Sequence, residues 1–180
     1  MKAKKYWILA VIVITVCVGG VWARVVTEPK DVLAGLQGMY VVVEDFDLDA
    51  KEAGLTEEKI RADVELKLRL AGIKVLSVEE GLATKSKAFL YVDVTTVKEK
   101  LHQEYAGSVE VSLRERVYLA RDPETITLAA TWDKIGIGLG SSDIAKRKIR
   151  ESIKDLVDEF INDYLAATPK ETKAKSKNNK

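Results

Sequence analysis

Residues 55–72, LTEEKIRADVELKLRLAG, decide the fold, because the stretch supports two incompatible readings. Asp63 to Leu70 alternates strictly between polar and apolar side chains, which is the signature of a half-buried strand. Against that, Thr56 is a good N-cap, Glu57 and Glu58 fill a first turn, and Leu55 with Ile60 makes a hydrophobic staple. Gly72 supplies a left-handed stop, and Ile60, Val64, Leu68 and Ala71 line one helical face. Capping is directional, whereas alternation among Glu, Lys, Leu and Arg costs a helix little. The stretch is a helix.

Its neighbours then fall into place. Met39 to Phe46 (MYVVVEDF) reads as a strand buried on both faces, and Ile73 to Val78 (IKVLSV) as a short strand after the Gly72 stop. Strand, helix and strand with tight connections make a right-handed crossover with the strands parallel. Ala88, Leu90, Val92 and Val94 alternate, and so do Val109, Val111, Leu113, Val117 and Leu119. A turn at Arg121-Asp122-Pro123-Glu124 returns the chain through Ile126, Leu128, Ala130 and Trp132. Ser142 caps a final helix to Ala167, with Ile149, Ile153, Leu156, Val157, Phe160, Ile161, Tyr164 and Leu165 as its apolar stripe. The expected class is α+β: a five-stranded mixed sheet, in the order β-α-β-β-β-β-α, packed by two helices.

The chain has 180 residues, 47% apolar and 32% charged, a balance that excludes a wholly disordered protein. The net charge of +1 hides three regions. Residues 1–23 hold Lys2, Lys4 and Lys5 and no acid; residues 170–180 hold five lysines against Glu171. Taking these from the 29 bases and 28 acids leaves residues 24–169 with 21 and 27, a net of −6. Tyr6 to Val21 (YWILAVIVITVCVGGV) behind the lysines is an export signal, which is expected to leave the amino terminus in the cytoplasm. Val21 and Ala23 suit a cleavage before Arg24. A retained anchor fits as well: the run spans about 25 Å at 1.5 Å per residue, against a hydrocarbon core of ~30 Å. Tyr6, Trp7 and Trp22 would then sit at the two interfaces. Residues 24–38 read as a linker, 39–167 as the globular domain, and 168–180 as a basic, disordered tail.

One Cys and one His leave no material for disulfides or Cys/His zinc sites. Cys17 lies in the apolar run behind Val16, where a lipidation site wants a small residue. Gly136, Gly138, Gly140 and Ser141 before the last helix could cradle a phosphate, but no dinucleotide or Walker pattern is complete, and the glycines can equally let a twisted strand end and turn into its helix. Asp45, Asp47 and Asp49 begin like a calcium loop, yet Ala50 and Thr56 stand where Gly and Glu are needed. His102 lies in a polar connection with no nucleophile elbow nearby. Glu115 shares the parity of Val109 to Leu119, so a regular strand would bury its carboxylate; a partner from elsewhere or a bulge must resolve that.

The segments GLTEEKIRADVELKLRLAGIKVLSVEE, YAGSVEVSLRERVYL, TLAATWD and IRESIKDLVDEFINDYLAA resemble a group of uncharacterised exported bacterial proteins, over residues 39 to 167. By element order the arrangement is similar to the amino-terminal domain of the Tol-Pal translocation protein. The resemblance implies an envelope location and no catalytic motif. The expectation is a non-catalytic cell-envelope module, inner-membrane anchored and facing the periplasm, or periplasmic if the signal is cleaved. It would bind an envelope protein or itself and no nucleic acid, contact the membrane through its amino-terminal segment, and need no cofactor or metal. The alternative is a small-ligand binder or enzyme using carboxylates and the Gly136–Gly140 loop.

Overall fold

The computed structural model describes residues 29–52, 54–98 and 104–168. Four strands form one mixed sheet in the order β1-β2-β3-β4: Tyr40–Val43, Phe89–Lys98, Glu104–Leu119 and Asp122–Ser141. β1 runs parallel to β2, and β2, β3 and β4 are antiparallel neighbours. The fold is α+β, with four strands rather than the five expected. The missing one is the stretch 73–78. It makes a single parallel bridge, Val75 to Met39 just before β1, through Met39 N–H to Lys74 O and Leu76 N–H to Met39 O. Ser77 ends that pairing because it starts a helix instead. Its hydroxyl accepts from Glu80 N–H while the Glu80 carboxylate accepts from Ser77 N–H, a complete capping box.

Helix α1 is Leu48–Glu52, α2 Glu57–Leu70, α3 Val78–Ala83 and α4 Ser142–Ala167. In α2, Ile60, Val64 and Leu68 are buried, and Gly72 beyond it has φ +80°. The helical reading of 55–72 therefore holds. The Thr56 hydroxyl makes no capping bond. Glu57 faces the preceding loop instead, accepting from Phe46 N–H at 2.9 Å and pairing with Lys51 at 3.2 Å. That backbone N–H, above all, holds the Glu57 carboxyl below its usual range. In α4, Ile149, Ile153, Leu156, Val157, Phe160 and Ile161 are buried, as the stripe predicts. Leu165, at the end of the stripe, is exposed. The N-cap is Ser141, one residue before the expected Ser142.

The inner face of the sheet carries Leu90, Val92, Val94, Val109, Val111, Leu113 and Trp132 against α2 and α4. Trp132 stacks edge-on to Phe160 at 5.1 Å and donates its indole N–H to Asp163 at 2.9 Å. A 3₁₀ turn at Pro29–Leu33 joins this core. Its Leu33 is fully buried, and Leu36 O accepts from the Tyr164 hydroxyl, so part of the stretch read as a linker packs into the domain.

Two corrections concern β4. The turn is Ala120-Arg121, between paired Leu119 and Asp122, and not Asp122-Pro123. Leu113 faces Trp132 while Arg114 faces Ala130, so Thr131 is an extra residue. This bulge reverses the parity of everything before it. Ile126, Leu128 and Ala130, expected to bury with Trp132, are exposed.

Candidate functional site

The structure puts the sequence's candidate residues to structural uses. Asp47 starts α1: its carboxylate accepts from Ala50 N–H at 2.7 Å. The same carboxylate takes the N–H of buried Thr96 at 2.8 Å and the Thr96 hydroxyl at 2.7 Å, tying α1 to the end of β2. Asp45 is exposed, and Asp49 lies within α1. The expected acidic loop is thus a capped helical turn. Among the described residues no group of three or more His, Cys, Asp or Glu side chains could hold a metal ion.

Gly136, Gly138 and Gly140 are not in a loop. They lie inside β4, opposite Val109, Gly107 and Tyr105. The strand runs to Ser141 and passes directly into α4. A Cβ at Gly136 would meet Ser152 at 3.5 Å, so the glycines border the helix that crosses them. Glu115 keeps its inner-face parity because the bulge is on β4. It faces Ala129 beyond the main core and accepts from the Thr131 hydroxyl at 2.8 Å. The bulged residue is its partner. His102, Cys17, Tyr6, Trp7, Trp22 and residues 169–180 of the tail lie outside the described residues. Among the described residues, no helix is long and apolar enough to cross a membrane.

What the strands do assemble is an outer face with three zones. Over β1, α3 covers Tyr40; a Cβ at Gly81 would fall 2.1 Å from the Tyr40 ring, so glycine alone fits this crossing. Tyr40 lies tilted against Phe89 at 5.3 Å, and Phe89 meets Tyr91 edge-on at 6.4 Å. Next comes a polar network. Arg114 lies 3.7 Å over the Tyr91 ring and bonds Glu110 and Ser112, while the Tyr91 hydroxyl donates to Glu44 at 2.5 Å. Burial, and then the bond to Glu44, push the Tyr91 phenol up to about 12. Third, Ile135 and Ile137 of β4 and Val97 of β2 stand bare, 62%, 81% and 63% exposed.

Among the described residues β4 is also the edge of the sheet, paired on one side by β3. Beyond Arg114, which faces Phe89 at the start of β2, β3 and β4 continue as a two-stranded arm with Tyr118, Ile126 and Leu128 exposed. A second surface lies between α2 and α4. There a groove of about 590 Å³ has Ile60, Val64, Ile153 and Val157 along its floor. Two ion pairs join the helices across it: Arg150 to Asp63 and Lys67 to Asp158, both 2.6 Å.

The sequence reading missed the bare outer zone. The signal for it is the alternation of Ile135, Ile137 and Leu139 with glycines, which glycine's depletion in strands disguises as a loop.

No protein-family model matches the chain, and no curated protein matches it. Among solved structures, the chain is similar to a PelC dodecamer from Paraburkholderia phytofirmans, with 15% identity and a TM-score of 0.38, over 73% of this chain and 92% of that one. At that level the likeness carries no argument about this chain.

Proposed function

We propose that this protein is a non-catalytic module of the cell envelope that binds a protein partner or another copy of itself through its sheet. Residues 1–23 would hold it at the inner membrane or be cleaved to release it into the periplasm. The likeness to exported bacterial proteins and to the Tol-Pal module belongs to the same reading. One observation carries the binding role: among the described residues the outer edge of β4 pairs with no strand, and β4 also carries exposed apolar side chains, Ile135 and Ile137 at one end and Ile126 and Leu128 at the other. Unpaired edges template pairing with another chain, and natural proteins usually blunt or cover them. Bare apolar patches on a surface mark interaction sites.

The alternative, a small-ligand binder or enzyme built on the carboxylates and glycines, draws less support. Those glycines are committed to the β3–β4 ladder, and Asp47 to α1 and Thr96.

Site-specific photo-crosslinking in producing cells tests the proposal, with the probe placed in turn at positions 126, 137 and 66. Adducts are expected at 126 or 137 and not at Leu66, an exposed α2 residue away from the sheet. Equal yields at all three, or none, would remove the binding role. An immunoblot of membrane and periplasmic fractions, comparing precursor and mature mass, tests the localisation.

A further inference from the structure

The two halves of the β4 edge are protected differently. From Asp122 to Lys134 the strand carries Asp122, Pro123, Glu124, Asp133 and Lys134, and the Thr131 bulge interrupts it. Charge, proline and bulges are the devices that keep an edge from pairing. From Ile135 to Ser141 (IGIGLGS) there is no charge, no proline and no bulge. Among the described residues β4 pairs with β3 and with no other strand.

We infer that residues 133–141 of β4 pair antiparallel with the same residues of a second copy, about a twofold axis at Ile137, joining two four-stranded sheets into one of eight strands. This rests on the binding role proposed above and names its partner and register. Three features favour a second copy. A twofold interface must be self-complementary, and a neutral strand opposes no like charges when it meets itself. In this register Asp133 falls opposite Ser141, Lys134 opposite Gly140 and Ile135 opposite position 139, while Ile137 meets its own copy. Every position from 133 to 141 is strand in the single chain, so the pairing needs no rearrangement. Moving the axis to Gly138 would bring Asp133 opposite Asp143, and position 143 is already in α4. The axis stands perpendicular to the sheet, so both copies keep α4 on the inner face. The exposed Ile135 and Ile137 of each chain then become cross-strand neighbours on the outer face.

The test uses the full chain in mild detergent. Sedimentation should give twice the mass of one chain. Ile137→Lys, which opposes two ammonium groups at the axis, should halve it, and Leu128→Lys on the arm should leave it unchanged. A second measurement does not depend on disruption. In a Cys17→Ser background, Ile137→Cys should oxidise to a covalent dimer. Val97→Cys, on the same face but two strands inward, should not. A single-chain mass with no cross-link at 137 would overturn the inference. A dimer lost with Leu128→Lys but kept with Ile137→Lys would overturn it too, leaving the broader binding role in place. So would photo-adducts at 137 to a different protein without any homodimer.

Discussion

On the inner face Leu90, Val92, Val111, Leu113 and Trp132 are all but fully buried beneath α2 and α4. On the outer face, one residue out of step along the same strands, Tyr91 and Arg114 sit in a polar network, and Ile135 and Ile137 meet solvent. Period-2 geometry forces each strand to serve both faces at once. The inner face is filled by the chain itself, through apolar stripes at helical spacing. Among the described residues the outer face is closed by α3 at β1, satisfied by hydrogen bonds around Tyr91 and Arg114 of β2 and β3, and left open at β4 and at Val97 near the end of β2. Stability is therefore concentrated on one side of the sheet, and the binding role proposed above falls to the other.

The sharpest way to break that contrast is Trp132→Ala. It removes a buried ring, its contact with Phe160 and its bond to Asp163, and should cost about 3–5 kcal/mol in denaturant unfolding. A loss below about 1 kcal/mol would mean the inner face is not the principal core. Gly81→Ala tests the one covered part of the outer face. The new methyl must displace the Tyr40 ring, and a loss of about 1–3 kcal/mol is expected from chemical denaturation. Asp47→Ala removes a helix start and strands the buried Thr96 hydroxyl, for about 1–2 kcal/mol.

Tyr91→Phe should cost about 1 kcal/mol or less at neutral pH. The sharper readout is titration. The phenol is raised in the folded state from 10.0 to about 12, so the neutral form is favoured there. The stability it contributes is complete below the unfolded pKa, near 10, and is lost as pH climbs towards 12. Tyrosinate absorbance should show a late phase near that value in the native protein, gone in Tyr91→Phe. Smallest of all, Ile137→Lys should change the stability of a single chain by no more than about 0.5 kcal/mol, by calorimetry of the monomer. A large loss there would mean the open zone is part of the core after all.

Much of the fold could be read from local pattern. Glu57 and Glu58 in the first turn, the face of Ile60, Val64 and Leu68, and the stop at Gly72 outweigh the alternation of Asp63–Leu70, and α2 forms although the Thr56 hydroxyl makes no capping bond. The stripe from Ile149 to Ile161 gave α4 its buried side. The Ser77-x-x-Glu80 capping box is equally readable, but the apolar run Ile73–Leu76 before it masks it, and that run pairs at one bridge only. The candidate surface was harder. Its glycines read as a loop because glycine packs nothing by itself; they are held in a strand by β3, whose Gly107 faces Gly138. Glu115 stands out of pattern in the sequence, yet the bulge that supplies its partner is at Thr131, on the other strand.

By itself, the sequence determined the elements whose causes lie within a few residues: caps, turns and the periods 3.6 and 2, which set the helices, the alternation of the strands and the charge of each region. Only the tertiary structure decided that 73–78 contributes a bridge and not a strand, which face Ile126 and Leu128 occupy, and that β4 is the edge. Those outcomes depend on strand pairing between distant residues, where one extra residue at Thr131 turns a run of side chains from one face to the other, and no local pattern records it.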